Sequence, residues 1–170
     1  MARLRLAGVV GDSITDGPGL RTTVFVQGCP HACEGCHNPE THSFEGGYEG
    51  DTEELLRQIA KNPLLSGVTF SGGEPFCQAG ALAELGEGVK ALGLELAAYT
   101  GYTFEKLLGS GSGEQKKLLG LLDVLVDGRF VLAERSLELK FKGSRNQRIL
   151  DVQKSLELGD AVLMLDGRWD

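Results

Sequence analysis

The stretch Thr22-Thr-Val-Phe-Val-Gln-Gly-Cys29-Pro-His-Ala-Cys33-Glu-Gly-Cys36 joins a strand pattern to a tight group of three cysteines. Its first part, Thr22–Gln27, is β-branched and apolar, which predicts a strand that ends where the cysteine loop begins. A cubane iron–sulfur cluster held by only three protein sulfurs leaves one iron open to a small molecule, whereas electron-transfer clusters are usually closed by four cysteines. The C-x3-C-x2-C spacing therefore predicts a reactive cluster at the end of a strand.

Zinc is the alternative metal for these thiols. Zinc sites usually pair two short cysteine hairpins that lie far apart in sequence, so three sulfurs in one tight loop fit zinc poorly. Where thiols stay reduced, clustered cysteines indicate metal ligands before disulfides. A fourth zinc ligand would come from His31, His37, His42 or Cys77, of which His31 and His42 otherwise have the pattern of ordinary loop residues.

Composition narrows the class of protein. The chain has 170 residues, 41% of them hydrophobic, which suits one globular domain over residues 1–170. A net charge of −7 without a long basic block argues against a nucleic-acid partner. No signal peptide is apparent, and no apolar stretch approaches the roughly 20 residues that span a bilayer. We therefore expect a cytoplasmic protein that does not associate with membranes.

Strand and helix patterns alternate along the rest of the chain. Strands are predicted at 67–71, 94–100, 122–127, 136–142, 148–152 and 161–165, and helices after Asp51, across Leu82–Leu92, around 104–108 and at 114–121. This alternation is typical of parallel βα units, whose sites lie at the carboxyl ends of the strands. The cysteine loop, Gly72-Gly-Glu-Pro75, Thr100-Gly101 and Asp127-Gly128 all follow strand ends, so we expect them to meet at one rim.

The turn Gly72-Gly-Glu-Pro75 is a second candidate binding element. Its two glycines allow the backbone to approach a ligand closely. Its carbonyl groups and the Glu74 carboxylate could receive an ammonium group. A glycine turn between strand and helix is also an ordinary structural feature. The three-cysteine loop upstream favours the binding interpretation.

The order of these motifs resembles the radical S-adenosylmethionine superfamily, in which a C-x3-C-x2-C loop precedes a Gly-Gly-Glu-Pro turn. Asp16-Gly-Pro-Gly-Leu-Arg21 and Cys36-His-Asn-Pro39 resemble the activases of glycyl-radical enzymes. Three later segments, Tyr99–Tyr102, Val126–Gly128 and Gly143–Gln147, narrow the resemblance to activases of anaerobic ribonucleoside-triphosphate reductase. The resemblance covers the chain from about residue 8 to about residue 150.

The resemblance implies an α/β fold of the radical S-adenosylmethionine type, a truncated open (βα) partial barrel with mostly parallel strands. The chain is too short for eight βα units, which need about 250 residues. It also implies a [4Fe-4S] cluster and S-adenosyl-L-methionine as cofactors. Reductive cleavage of that sulfonium would give a 5′-deoxyadenosyl radical, which would take hydrogen from a backbone glycine of the reductase. An electron donor such as flavodoxin is a further implied partner.

Site roles follow from the resemblance position by position. The cluster ligands would be Cys29, Cys33 and Cys36, and the cofactor contacts would be Gly35, Cys36, His37, Gly72, Gly73, Glu74 and Pro75. In much of the superfamily an aromatic residue before the third cysteine contacts adenine. Gly35 stands there in this chain, which makes His37 or Asn38 the candidate for that contact.

Weaker candidates lie farther along the chain. Asp127 could contact the cofactor or a cation, with a structural carboxylate as the alternative. Arg145 could bind the cofactor or a partner, with solvated surface as the alternative. Arg21 could contact a partner. Two rival enzymes resemble this pattern, an activase of pyruvate formate-lyase and a small synthase of the 7-deazaguanine pathway. The rival without catalysis is a zinc-binding interaction module.

Overall fold

The computed structural model describes residues 2–31, 33–36 and 39–169. Its strands are β1 (Arg3–Ser13), β2 (Arg21–Val26), β3 (Tyr48–Asp51), β4 (Gly67–Gly72), β5 (Glu95–Tyr99), β6 (Val124–Asp127) and β7 (Arg148–Asp151). Its α-helices are α1 (Thr52–Ala60), α2 (Ala79–Ala91), α3 (Phe104–Ser110), α4 (Gly113–Leu121) and α5 (Val152–Leu158). These strands form one sheet in the order β3-β1-β2-β4-β5-β6-β7.

The centre of the sheet is parallel. Strands β2, β4, β5 and β6 pair in parallel, whereas β1, β3 and β7 are added antiparallel at the two edges. Within the described residues β3 and β7 are the outer strands, so the sheet does not close on itself. The α/β class, the parallel centre and the open sheet confirm the fold prediction.

The helices cover one face of the sheet. Side chains on alternate strand positions point to this face, where Phe70 and Leu96 meet Leu82 and Val89 of α2 in a fully buried core. Asp51 caps the N-terminus of helix α1, since its carboxylate accepts a hydrogen bond from the Glu53 amide at 3.0 Å. No helix in the described part of the chain has the length and apolarity needed to cross a membrane.

The opposite face of the sheet is filled by the C-terminal segment. Trp169 is buried against the strand residues Val124 and Val126, and its ring meets Phe141 edge to face at 5.3 Å between centroids. The same tryptophan lies over the Arg21 guanidinium. The C-terminal segment therefore covers the apolar side chains on this face of the sheet, which further strands would cover in a complete barrel.

Two predicted strands are wrong. Residues 136–142 form turns and bends, and the positive φ of 61° at Phe141 breaks the extended backbone that a strand requires, while its ring packs against Trp169. Residues 161–165 make only an isolated bridge between Leu163 and Leu150. The strand predicted at 148–152 forms as β7, although it runs antiparallel to β6.

Candidate functional site

The carboxyl ends of the four parallel strands meet at one edge of the sheet. Because β2, β4, β5 and β6 are parallel neighbours, the segments that follow them leave the same side. A cavity of about 370 Å³ lies there. Its lining brings together the three predicted iron ligands, Cys29, Cys33 and Cys36, with Gly72 and Gly73.

The cysteine loop is fixed by backbone hydrogen bonds. The Gly28 amide donates to the Thr41 carbonyl at 2.7 Å, and the Cys29 amide donates to the His42 carbonyl at 3.1 Å. Gly28 has a φ of 102°, a region that favours glycine and lets the chain turn sharply after β2. The three thiols of the loop are partly exposed and form no disulfide. They are therefore accessible to iron.

The two glycines of the Gly-Gly-Glu-Pro turn permit a close approach between β2 and β4. A Cβ on Gly73 would lie 2.3 Å from the Gly28 carbonyl oxygen. A Cβ on Gly72 would lie 2.7 Å from the backbone of Val26, and its φ is 94°. The Gly73 amide donates to the Val26 carbonyl at 2.8 Å. The wall of the cavity is bare backbone at this point.

Glu74 lies beneath the rim and does not line the cavity. It is fully buried, and its carboxylate accepts hydrogen bonds from the Thr100 hydroxyl at 2.8 Å and the Gly101 amide at 2.8 Å. The Phe76 amide donates to it at 3.0 Å, and His31 Nε2 lies 2.6 Å away. Pro75 is also buried. Direct contact of Glu74 or Pro75 with a cofactor stays a prediction.

Two other predicted contacts, Gly35 and Arg145, are not part of the lining of this cavity. Gly35 is exposed, has a φ of 73° and lies against Leu132. Arg145 is exposed. His37 and Asn38 lie outside the described residues. Their roles stay predictions.

Asp127 is buried at the end of β6 and holds neighbouring elements together. Its carboxylate accepts from Arg148 Nε at 2.9 Å and from the Phe104 amide at 2.8 Å. The Arg148 guanidinium donates hydrogen bonds to Asp127 and Glu105. Both raise its pKa, and the bond to Asp127 has the larger effect. These are the contacts of a structural carboxylate, and a role toward the cofactor stays a prediction.

Arg21 does not reach a partner surface, so that hypothesis is wrong. Its side chain is fully buried beneath Trp169 and pairs with Glu95 at 2.9 Å. Burial lowers the pKa of this guanidinium, and the Glu95 carboxylate opposes that effect. The turn before it brings Arg21 into the sheet rather than onto the rim.

Two histidines line the cavity, although their sequence pattern predicted only a zinc ligand or an ordinary loop residue. His31 and His42 both border it, and each has one buried ring nitrogen without a hydrogen-bond partner, Nδ1 of His31 and Nε2 of His42. The signal available in the sequence was the position of His31 between Cys29 and Cys33. A buried nitrogen without a partner is costly unless a ligand satisfies it.

The chemistry of these residues fits an iron–sulfur cluster with a polar ligand beside it, although within the described residues no three Cys, His, Asp or Glu side chains are grouped closely enough to hold a metal ion as they stand. Thiolates are the ligands that such clusters use. The cavity adds unpartnered ring nitrogens, the bare backbone of Gly72 and Gly73, and an apolar side that includes Phe130. The donor set and the space next to it therefore agree with the predicted cofactors.

Known proteins match most of this chain in amino-acid sequence. The family described as "4Fe-4S single cluster domain" matches residues 15–150. The anaerobic ribonucleoside-triphosphate reductase-activating protein of Vibrio cholerae serotype O1 is 36% identical over 144 residues, covering 80% of this chain and 90% of that protein. The pyruvate formate-lyase-activating enzyme of Clostridium pasteurianum is 37% identical over 133 residues, covering 75% of this chain and 53% of that enzyme.

Among solved structures, QueE from Escherichia coli superposes with a TM-score of 0.47 at 18% identity, over 59% of this chain and 53% of that one. The family assignment depends on the sequence matches, which extend over most of this chain and most of the Vibrio protein. They confirm the resemblance inferred from the motifs, and they favour an iron–sulfur cluster over zinc. The chain belongs to the 4Fe-4S single cluster family and, within it, to the anaerobic ribonucleoside-triphosphate reductase-activating proteins.

Proposed function

We propose that this chain activates anaerobic ribonucleoside-triphosphate reductase by generating a radical on a backbone glycine of that enzyme. The observation that carries the proposal is the shared cavity, whose lining includes Cys29, Cys33 and Cys36 together with Gly72 and Gly73. When bound and reduced by an external electron donor, a [4Fe-4S] cluster would supply the electron that cleaves S-adenosyl-L-methionine to methionine and a 5′-deoxyadenosyl radical, which would take a hydrogen atom from the glycine.

The residues of this chain would bind the cluster, orient the cofactor beside it and shield the reactive species from water. The three thiolates of the loop would hold three irons and leave the fourth for the cofactor. The backbone of Gly72 and Gly73, which carry no side chains of their own, offers carbonyl groups at short range to an amino group. Phe130, Leu139 and Phe141 form an apolar part of the wall and would limit the access of water to a reactive species.

The setting of the reaction is part of the same proposal. A cytoplasmic location agrees with cysteines that remain reduced. An electron donor such as flavodoxin would supply the reducing equivalent. The net charge of −7 and the lack of a basic block support a protein partner rather than nucleic acid, and we propose no membrane partner.

Electron paramagnetic resonance tests the partner directly. Anaerobically reconstituted protein, S-adenosyl-L-methionine and dithionite are mixed with anaerobic ribonucleoside-triphosphate reductase, and the glycyl radical is recorded. We expect a signal with wild type and none with Cys36→Ala. Cys77→Ala is the matched control and should keep the signal, because Cys77 does not line the cysteine cavity and because burial raises the pKa of its thiol.

Activation of pyruvate formate-lyase is the second candidate, favoured by the 37% identity with the Clostridium enzyme. The chain spans about half the length of that enzyme. A glycyl radical formed only with pyruvate formate-lyase, and never with the reductase, would reject the partner proposed above.

A further inference from the structure

The imidazole of His31 is held in a closely fitting slot beneath the cysteine loop. Its side chain is 3% exposed, and Nε2 lies 2.6 Å from Glu74 Oε1. A carboxylate that accepts from two amides and a hydroxyl can only accept again, so His31 donates from Nε2. The residue between the first two cysteines is thereby tied to the turn that follows β4.

The segment after β5 forms the other walls of this slot. A Cβ on Gly101 would lie 2.3 Å from His31 Cδ2, so the ring occupies the space that a side chain would fill. The Tyr102 ring meets the imidazole edge to face, with 4.6 Å between centroids. Thr100 and the Gly101 amide hold the Glu74 carboxylate from the same segment. Three consecutive residues that follow β5, Thr100 to Tyr102, therefore contact one histidine–carboxylate pair.

We propose that His31 is a positioning residue for the cluster, and that Glu74 acts on the site through it. This inference rests on the proposed function, since it assumes that Cys29 and Cys33 ligate iron. Both cysteines lie two residues from His31, so the slot fixes this half of the loop against the ends of β4 and β5. Residues that do not bind the metal themselves but orient its ligands commonly contribute strongly to metal retention.

The buried contacts explain why a carboxylate is needed at a position that does not line the cavity. Glu74 lies at the junction of three segments: the cysteine loop through His31, its own turn through Phe76, and the end of β5 through Thr100. The remaining ring nitrogen of His31, Nδ1, is buried without a partner next to the cavity. Orientation of the ring by Glu74 also orients that nitrogen.

The test measures iron release rather than activity. Wild type, His31→Leu, His31→Gln and Thr100→Val are reconstituted anaerobically, and the rate at which a chelator removes iron is recorded. His31→Leu should lose iron about tenfold faster than wild type. His31→Gln, whose amide can still donate to Glu74, should remain near wild type. Thr100→Val removes a different donor from the same carboxylate and should release iron far more slowly than His31→Leu.

A second variant reaches the slot from outside the cysteine loop. Gly101→Ala should displace the ring of His31 and speed iron release as His31→Leu does, and the double variant should be no worse than either single change. Each variant is also unfolded in urea, with the cluster bound, to separate general stability from cluster retention. The spectrum of the reduced cluster should change in His31→Leu and Gly101→Ala.

Two results would overturn the inference. In the first, His31→Leu retains iron as wild type does. In the second, His31→Leu and Thr100→Val lose iron and stability to the same extent, which would give His31 only a general structural role. A wild-type protein that forms no cluster contradicts the proposed function instead, so the two failures are distinguishable.

Discussion

Gly73 and Glu74 are adjacent residues with different tasks. Gly73 is needed for what it lacks, because its backbone lies against the Gly28 carbonyl where a Cβ has no room. Glu74 is needed for its carboxylate, which joins three segments below the rim. The sequence motif indicated a ligand-binding turn, and the structure adds that the turn also holds the cysteine loop in place.

Replacement of Gly73 by alanine should destabilise the protein. The new methyl group would overlap backbone of Gly28 rather than a flexible side chain, so the strand ends would have to separate, at a cost of about 1–3 kcal/mol. Urea denaturation measures the change. Gly120→Ala in α4, where the added Cβ meets nothing within 4 Å, is the control and should stabilise by up to about 1 kcal/mol. Equal effects of the two variants would contradict the close approach.

Because of Tyr102, the free energy of unfolding should depend on pH in the alkaline range. Burial, followed by the charge of Cys77, raises the pKa of its phenol to about 12, whereas an unfolded tyrosine titrates near about 10. Between these values the folded state holds more protons than the unfolded state, so the free energy of unfolding decreases as pH rises.

The measurement is the free energy of unfolding from pH 8 to 12 for wild type, Tyr102→Phe and Tyr48→Phe. Tyr102→Phe should give the flatter profile. Burial also raises the pKa of Tyr99, so some alkaline loss remains. Tyr48 is exposed, and its variant should follow wild type. A Tyr102→Phe profile as steep as that of wild type would contradict the explanation.

Central strands were predictable from sequence because they are buried on both faces. Strands β2, β4, β5 and β6 are short apolar runs that end in glycine-containing turns, and each was predicted within a few residues. The missed elements, β1, β3 and α5, lie toward the edges. Strand β1 contains Gly8 and Gly11 beside its register shifts, which weakens its pattern. Its pairing depends on β2 and β3, contacts that a local pattern does not contain.

Strand β5 is tied to its neighbours by a partly buried ion-pair network. Glu95, at its start, pairs with the fully buried Arg21 of β2 at 2.9 Å and with Arg168 near the C-terminus at 3.1 Å. Glu95→Ala would leave the Arg21 charge buried without its carboxylate and should destabilise by about 3 kcal/mol. Urea denaturation provides the measurement.

The matched control for that variant is Glu87→Ala. Glu87 pairs with Lys117 on the exposed surface of α2, where both side chains are more than half exposed, and ion pairs of that kind contribute little. We expect nearly unchanged stability for Glu87→Ala. If both variants lost stability equally, the burial of Arg21 would not be the deciding factor.

In the molecule as a whole, the candidate site lies at the carboxyl ends of the parallel strands, where the sites of parallel sheets usually lie. The motif spacing predicted the three cysteines and the glycine turn at one edge, because the carboxyl ends of parallel neighbours must meet there. The spacing could not predict the slot of His31, the burial of Arg21 or the cover by Trp169, since each depends on residues far apart in the chain. Long-range packing determined those features.

Cleavage of S-adenosyl-L-methionine by the isolated chain is the decisive measurement. Protein reconstituted anaerobically with iron and sulfide is given S-adenosyl-L-methionine and dithionite, and the products are quantified by chromatography. We predict a brown protein with about four irons per chain that forms methionine and 5′-deoxyadenosine, and a Cys33→Ala variant that forms neither. A wild-type chain that binds the metal poorly and leaves the sulfonium intact would contradict this prediction.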